Sequence, residues 1–165
     1  MQEMHEQREL ARELQAVLHH EIPLSRQMDL TVLRYDGSCL ALQAPLAPNI
    51  NHKATAFAGS LNAVTTLAGW GTVWLLLAER GLHGTIVIQE SSTRYQLPVG
   101  HDFTATCRVP SGDETERFLA GMRRRGKARL ALKVDVLDGD GRVAVAFTGN
   151  YVAFAHASER PGEES

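Results

Sequence analysis

The loop Asn49-Ile50-Asn51-His52-Lys53 sets amides, an imidazole and an ammonium directly ahead of residues 54–78, a stretch without a charged side chain. If that stretch is a helix, its first amides lack intrahelical acceptors and its positive dipole end lies beside the loop. Such an end can hold a carbonyl oxygen while negative charge develops on it, with Asn51 or His52 orienting water or transferring a proton. The competing reading is structural: Asn51 and Thr55 cap the helix.

Other chemistries find little support. Gly59-Ser60 lacks the flanking pattern of a GxSxG nucleophile turn, so Ser60 packs or caps. There is no GxGxxG after a strand, no GxxxxGK[ST] and no HExxH. His19-His20-Glu21 has no further ligand at helical spacing, so no metal site is expected. Cys39 and Cys107 lie in strand-like stretches without CxxC spacing, which suits a reducing compartment. A net charge of −2 provides no general field for a nucleic acid backbone. Residues 1–13 mix charges of both signs without an apolar signal region, so the cytoplasm is the expected location.

The elements that must position the loop follow from periodicity. Leu10, Leu14, Val17 and Leu18 form one face of a helix over 4–22, which Pro23 ends or redirects. Leu30 and Val32 lead to the turn Asp36-Gly37, and Cys39 to Ala44 run back as a hairpin. Residues 54–78 are long enough to span a bilayer, but Thr55, Ser60, Asn62, Thr65, Thr66 and Thr72 with Gly59, Gly69 and Gly71 favour a buried helix instead. Strands are expected at Thr85–Ile88, at Phe103–Val109, and from Ala128 to Val136, which should pair antiparallel with Val143–Phe154. Asp113–Met122 reads as a short helix, followed by a basic connector of Arg123, Arg124, Arg125 and Lys127. The expectation is a single α+β domain over 1–156, an antiparallel sheet around a central helix, with a disordered tail at 157–165.

Several segments carry a family likeness. Asn49, Asn51-His52-Lys53-Ala54-Thr55-Ala56-Phe57-Ala58-Gly59-Ser60-Leu61 and Leu67-Ala68-Gly69-Trp70-Gly71 resemble the putative thioesterase family of the YiiD C-terminal domain type. So do His20-Glu21-Ile22-Pro23-Leu24-Ser25 with Met28, Ala44-Pro45-Leu46-Ala47-Pro48, Tyr95-Gln96-Leu97-Pro98-Val99 and Gly149-Asn150-Tyr151. The resemblance covers most of 20–155. It implies a hot-dog fold, here with an extra N-terminal helix, in which one long helix is wrapped by an antiparallel sheet. It also implies a homodimer or dimer of dimers with acyl-thioester sites at the interface, no membrane span, and no cofactor beyond the coenzyme A that belongs to the substrate.

Together these readings place catalytic roles on Asn51, His52, Gly59 and Thr66. They place contacts to an acyl-CoA or acyl carrier protein thioester on Phe57, Ala58, Ser60, Ser91, Tyr95 and Arg124. Two features depart from the family pattern. Ala58 stands where glycine is expected, and its methyl could crowd an approaching carbonyl. No acid lies between Asp36 and Glu79, so the loop and helix lack the carboxylate that many hot-dog thioesterases use. Thr65 and Thr66 are poor bases, Glu90 is a candidate substitute, and Trp70 and Trp74 either line an acyl tunnel or pack the core. Three functions follow: a thioesterase, a 3-hydroxyacyl-thioester dehydratase using His52, or a protein that binds acyl thioesters or a carrier protein without turnover.

Overall fold

The computed structural model describes residues 1–156; the tail expected at 157–165 lies outside the described residues. Helix α1 (Gln2–Glu21) and a short α2 (Pro23–Gln27) precede the hairpin β1 (Thr31–Tyr35) and β2 (Cys39–Ala44). A 3-10 turn at Ala47–Asn49 leads through an irregular loop into α3 (Ala58–Ala78). Then come β3 (Gly84–Tyr95), β4 (Phe103–Arg108), α4 (Gly112–Arg125), β5 (Lys127–Leu137) and β6 (Val143–Ala155). All six strands form one antiparallel sheet in the order β1-β2-β4-β5-β6-β3, an α+β hot-dog architecture.

A helix as uniformly apolar as α3 is stable only where protein covers most of its circumference. The inner face of the sheet supplies most of that cover, with β2 to β6 all packing against α3. The strict alternation of β5 shows how: Ala128, Leu130, Leu132, Val134 and Val136 point inward, and the residues between them face solvent. Helix α1 adds cover from another side through the fully buried Leu14 and Leu18, each worth about 1.5–3 kcal/mol of burial. At Gly71 both β2 and α1 press on α3 so closely that a Cβ would stand 2.9 Å from Leu40 and 3.1 Å from Leu14. By length and a mean hydropathy of 1.4, α3 could cross a bilayer, but 67% of that window is buried inside the fold, which makes it a core helix.

Polar pins fix α3 at its middle. Fully buried Tyr151 donates its hydroxyl to the Thr66 carbonyl at 2.7 Å, and Trp70 donates its indole N–H to the Ile86 carbonyl at 3.1 Å. Gly69 makes the first contact possible, because a Cβ there would overlap the Tyr151 hydroxyl.

The two edges of the sheet are treated differently. On β1, the Val32 amide donates to Gln15 Oε1 at 2.9 Å, and His19 Nε2 donates to the Leu30 carbonyl at 2.7 Å, so α1 seals that edge. On the far side β3, 12 residues long and mostly exposed, has β6 as its sole partner strand among the described residues.

Three sequence expectations change. The strand expected at Thr85–Ile88 runs on as Gly84–Tyr95, held along its length by β6. The central helix starts at Ala58 rather than 54, because residues 51–56 form a hydrogen-bonded loop with Ala54 in the left-handed region at φ 59°. Arg123, Arg124 and Arg125 are the last turn of α4, not a connector; cations there complement the helix dipole, and Gly126 at φ 64° ends the helix.

Two predictions follow from this packing. Gly69→Ala should cost about 2–3 kcal/mol in urea unfolding through overpacking against Tyr151, and Tyr151→Phe about 1 kcal/mol through loss of one hydrogen bond. Both free thiols, Cys39 and Cys107, are buried, and burial pushes the Cys107 thiol up to about 11. The native protein should therefore leave a disulfide dye unreacted over minutes at mildly alkaline pH and react fully once denatured.

Candidate functional site

The loop before α3 is built by its own polar side chains. Asn49, 2% exposed, donates from Nδ2 to the carbonyls of Met28 at 3.0 Å and Pro45 at 2.8 Å, and its carbonyl accepts the Phe57 amide at 2.8 Å. That ties the end of α2, the 3-10 turn and the entry to α3 together. Asn51 works within the loop: Oδ1 accepts from the Lys53 amide at 2.8 Å and the Thr55 amide at 3.2 Å, and Nδ2 donates to Thr55 Oγ1 at 2.9 Å and the Ala56 carbonyl at 3.4 Å. The amide of Ala56 then donates to the Val99 carbonyl at 2.7 Å, anchoring the loop to the segment after β3.

Neither Asn51 nor Thr55 caps the helix. Phe57 is the residue at the cap position, and among the described residues no side chain bonds the first amides of α3. The amides of Ala58, Gly59 and Ser60 thus meet solvent at the positive end of a 21-residue helix. The half-exposed Phe57 ring lies against Gly59, where a Cβ would overlap it, and forms an apolar wall beside those amides. Ala58 is exposed, so its methyl stands at the mouth of the site rather than in the core. A depression of about 260 Å³ opens here, lined by Asn51, Ala56, Ala58, Leu61, Tyr95 and Val99 among others. Tyr95 closes one side by donating its hydroxyl to the Ala58 carbonyl at 3.3 Å.

From this mouth a polar track runs along α3. Thr66 lies seven residues beyond Gly59, roughly two turns and about 10 Å along the same face. Between them, Asn62 donates from Nδ2 to Thr93 Oγ1 of β3 at 2.8 Å. The track therefore runs beside the free edge of β3. Half-buried Thr66 lies on this face by helical spacing, and its carbonyl takes the bond from Tyr151.

Strand β3 determines which of its polar residues join the track. The register slips between Ile88 and Glu90, which places Gln89 in a bulge. Without the slip, strict alternation would turn Glu90 inward along with Ile86 and Ile88. With it, Glu90 pairs with exposed Asn150 on the face turned away from α3, whereas Ser91, Thr93 and Tyr95 pair with the buried Gly149, Phe147 and Val145 on the face toward it.

The structure thus gathers Asn51, Phe57, Ala58, Gly59, Ser60 and Tyr95 at the mouth, with Thr66 and Ser91 farther along. His52 sits next to Asn51 on an exposed turn and makes no hydrogen bond among the described residues. Arg124 lies elsewhere: α4 meets the C-terminal end of α3, where Arg80 and Glu116 pair at 3.6 Å, about 30 Å of helix from the mouth. Sequence reasoning gave no role to Asn49 or to the Asn62–Thr93 pair, since one is a single amide directly after Pro48 and the other joins residues 31 apart. Trp74 and Trp70 are half-buried and packed against the core.

Residues 11–155 match the family described as Putative thioesterase (yiiD_Cterm). A protein of unknown function from Chlorobaculum tepidum TLS is 32% identical, with 91% of this chain and 97% of that one covered at a TM-score of 0.87. A putative thioesterase from Shewanella oneidensis is 35% identical, with 88% and 98% covered and a TM-score of 0.80. The PaaI protein from the phenylacetic acid degradation operon of E. coli shares the fold at 12% identity, with 90% and 95% covered and a TM-score of 0.63.

The loop's construction sets two expectations that do not depend on any substrate. Asn49→Ala leaves two buried carbonyls without their donor and should cost about 2–4 kcal/mol by denaturant unfolding. Asn51→Ala should cost less, about 1–2 kcal/mol, and its mark should be local: faster hydrogen exchange at the Lys53 and Thr55 amides with the core unchanged.

Proposed function

Because the chain belongs to the putative thioesterase family that its residues 11–155 match, we propose that it hydrolyses an acyl-CoA or acyl carrier protein thioester at the mouth of α3. The observation that carries this reading is the uncapped start of α3, with free amides at Ala58, Gly59 and Ser60 beside an apolar wall. The thioester carbonyl oxygen accepts from those amides; water attacks the carbonyl carbon, the oxygen takes up charge, and the C–S bond breaks to release the acid and the thiol. His52 removes the proton from the water and returns it to the departing sulfur, and Asn51 positions His52 by holding the loop, since its own amide is bonded within the loop. Phe57, Ser60 and Tyr95 shape the mouth, and Thr66 and Ser91 face the acyl chain along the track.

The sealed β1 edge and the open β3 edge support a homodimer formed through β3, which would place the track at the subunit interface. Two buried free thiols suit a reducing compartment, the cytoplasm. One observation favours a second reading, binding without turnover: the bulge directs Glu90 away from α3, leaving the mouth without a carboxylate base among the described residues.

The deciding experiment is thiol release followed with a disulfide dye across short, medium, long and aromatic acyl-CoA substrates. His52→Ala should lower kcat/KM at least about tenfold, a loss of about 1.4 kcal/mol of transition-state stabilisation. Asn51→Ala should lower it comparably. A conjugated enoyl absorbance without thiol release would indicate dehydration instead. A folded protein that binds coenzyme A and releases no thiol would establish the binding reading.

A further inference from the structure

At the end of the fold away from the α3 mouth, a groove of about 740 Å³ runs between α4 and β5. Strand β4 pairs with β5 only at Ala105–Cys107 against Val134–Val136. Residues 127–132 of β5 therefore pair with β6 alone; Gly121 of α4 packs against Lys127 and Ala128, and residues 129–131 show their other backbone edge to the groove. An unpaired strand edge beside a helix is the geometry in which an extended peptide adds as a further strand, through main-chain hydrogen bonds.

The side chains around this edge are strongly one-sided in charge. Arg117 and Arg125 of α4 face Lys127 and Arg129 of β5 across the groove, with Glu114 as its one lining carboxylate. All four cations are exposed, and among the described residues none is in an ion pair. This concentration sits in a chain of net charge −2. Dipole complementarity accounts for Arg125 in the last turn of α4, but not for Arg117 near the helix middle or for the two cations on β5. Lys127 lies over the Phe154 ring, 5.1 Å from its centroid, so a neutral side chain fixes it while its charge stays uncompensated.

We propose that this groove binds an extended acidic segment of another polypeptide, which adds as a strand to β5 and sets its carboxylates on Arg117, Arg125, Lys127 and Arg129. The competing physical role for the same cations is to blunt the edge against association, and it predicts no binding.

The test uses a fluorescent hexaglutamate peptide with the full chain, whose amides are followed by hydrogen exchange. The peptide should bind with a Kd of about 0.1 mM or tighter at low ionic strength and weaken with salt. Binding should slow exchange at the edge-facing amides of residues 129–131. Arg117→Glu with Arg129→Glu should weaken binding at least about tenfold, with unfolding by denaturant checking that the variant stays folded. Hexaglutamate methylated at alternate backbone nitrogens should lose most of the affinity. Equal binding of the methylated peptide, or of inorganic tripolyphosphate with the same exchange pattern, would make the groove a simple anion site and overturn the strand-addition proposal. Absence of binding would leave the cations as edge protection. A change of oligomeric mass in the double variant would assign the groove to a second copy, and binding only after removal of 157–165 would assign it to the chain's own acidic end; either would also overturn the proposal.

Discussion

The structure depends on one requirement: a 21-residue helix without a charged side chain must be covered by protein along most of its surface. A single sheet face cannot surround a cylinder, so the cover has to come from several directions. The curved inner face of the sheet supplies the larger part, and α1 closes another side with buried Leu14 and Leu18, Leu14 against Gly71. Helix α4 completes the packing beyond the C-terminal end of α3, where Phe118, Leu119 and Met122 join the core. The bonds from Tyr151 and Trp70 then fix α3 in rotation and translation, and so decide which of its side chains face β3.

The same requirement creates the site. A helix buried on its flanks can still meet solvent at its ends, and the N-terminal end is the one with free donors and positive potential. Most helices satisfy that end with a capping side chain. Here the nearby capping candidates, Asn51 and Thr55, bond to each other and to the loop instead, which holds the loop rigid and leaves the helix amides available. The free edge of β3 lies beside the track that descends from those amides, so association through that edge and formation of an enclosed acyl channel would be a single event.

Much of this was legible in the residues, and the rest was not for identifiable reasons. The absence of charge over 54–78 marked the core helix, and strict alternation marked β5 to within one residue at each end. The start of α3 was missed by four positions, because it is set by the hydrogen bonds of Asn51 and the left-handed turn at Ala54, which are tertiary facts. The last turn of α4 was read as a connector because three consecutive arginines carry no apolar period, although they suit a helix C-terminus. At the candidate site, the loop-to-helix pairing of Asn51 with Gly59 was visible as sequence adjacency. Contacts made over long separations, Asn62 with Thr93 and Tyr151 with Thr66, were not. A one-residue bulge at Gln89 was equally invisible, yet it exchanges Glu90 for Ser91 on the face that looks toward α3.

The central claim is that the open amides of Ala58, Gly59 and Ser60 receive the thioester carbonyl. The most direct measurement is amide chemical-shift mapping of the labelled protein with a non-hydrolysable acyl-CoA analogue in which a ketone replaces the thioester. The account predicts that the largest shifts fall on the Gly59 amide and its neighbours, with smaller ones at Tyr95 and along the Asn62–Thr66 track. Shifts confined to α4 and β5, with the α3 amides unmoved at saturation, would contradict it.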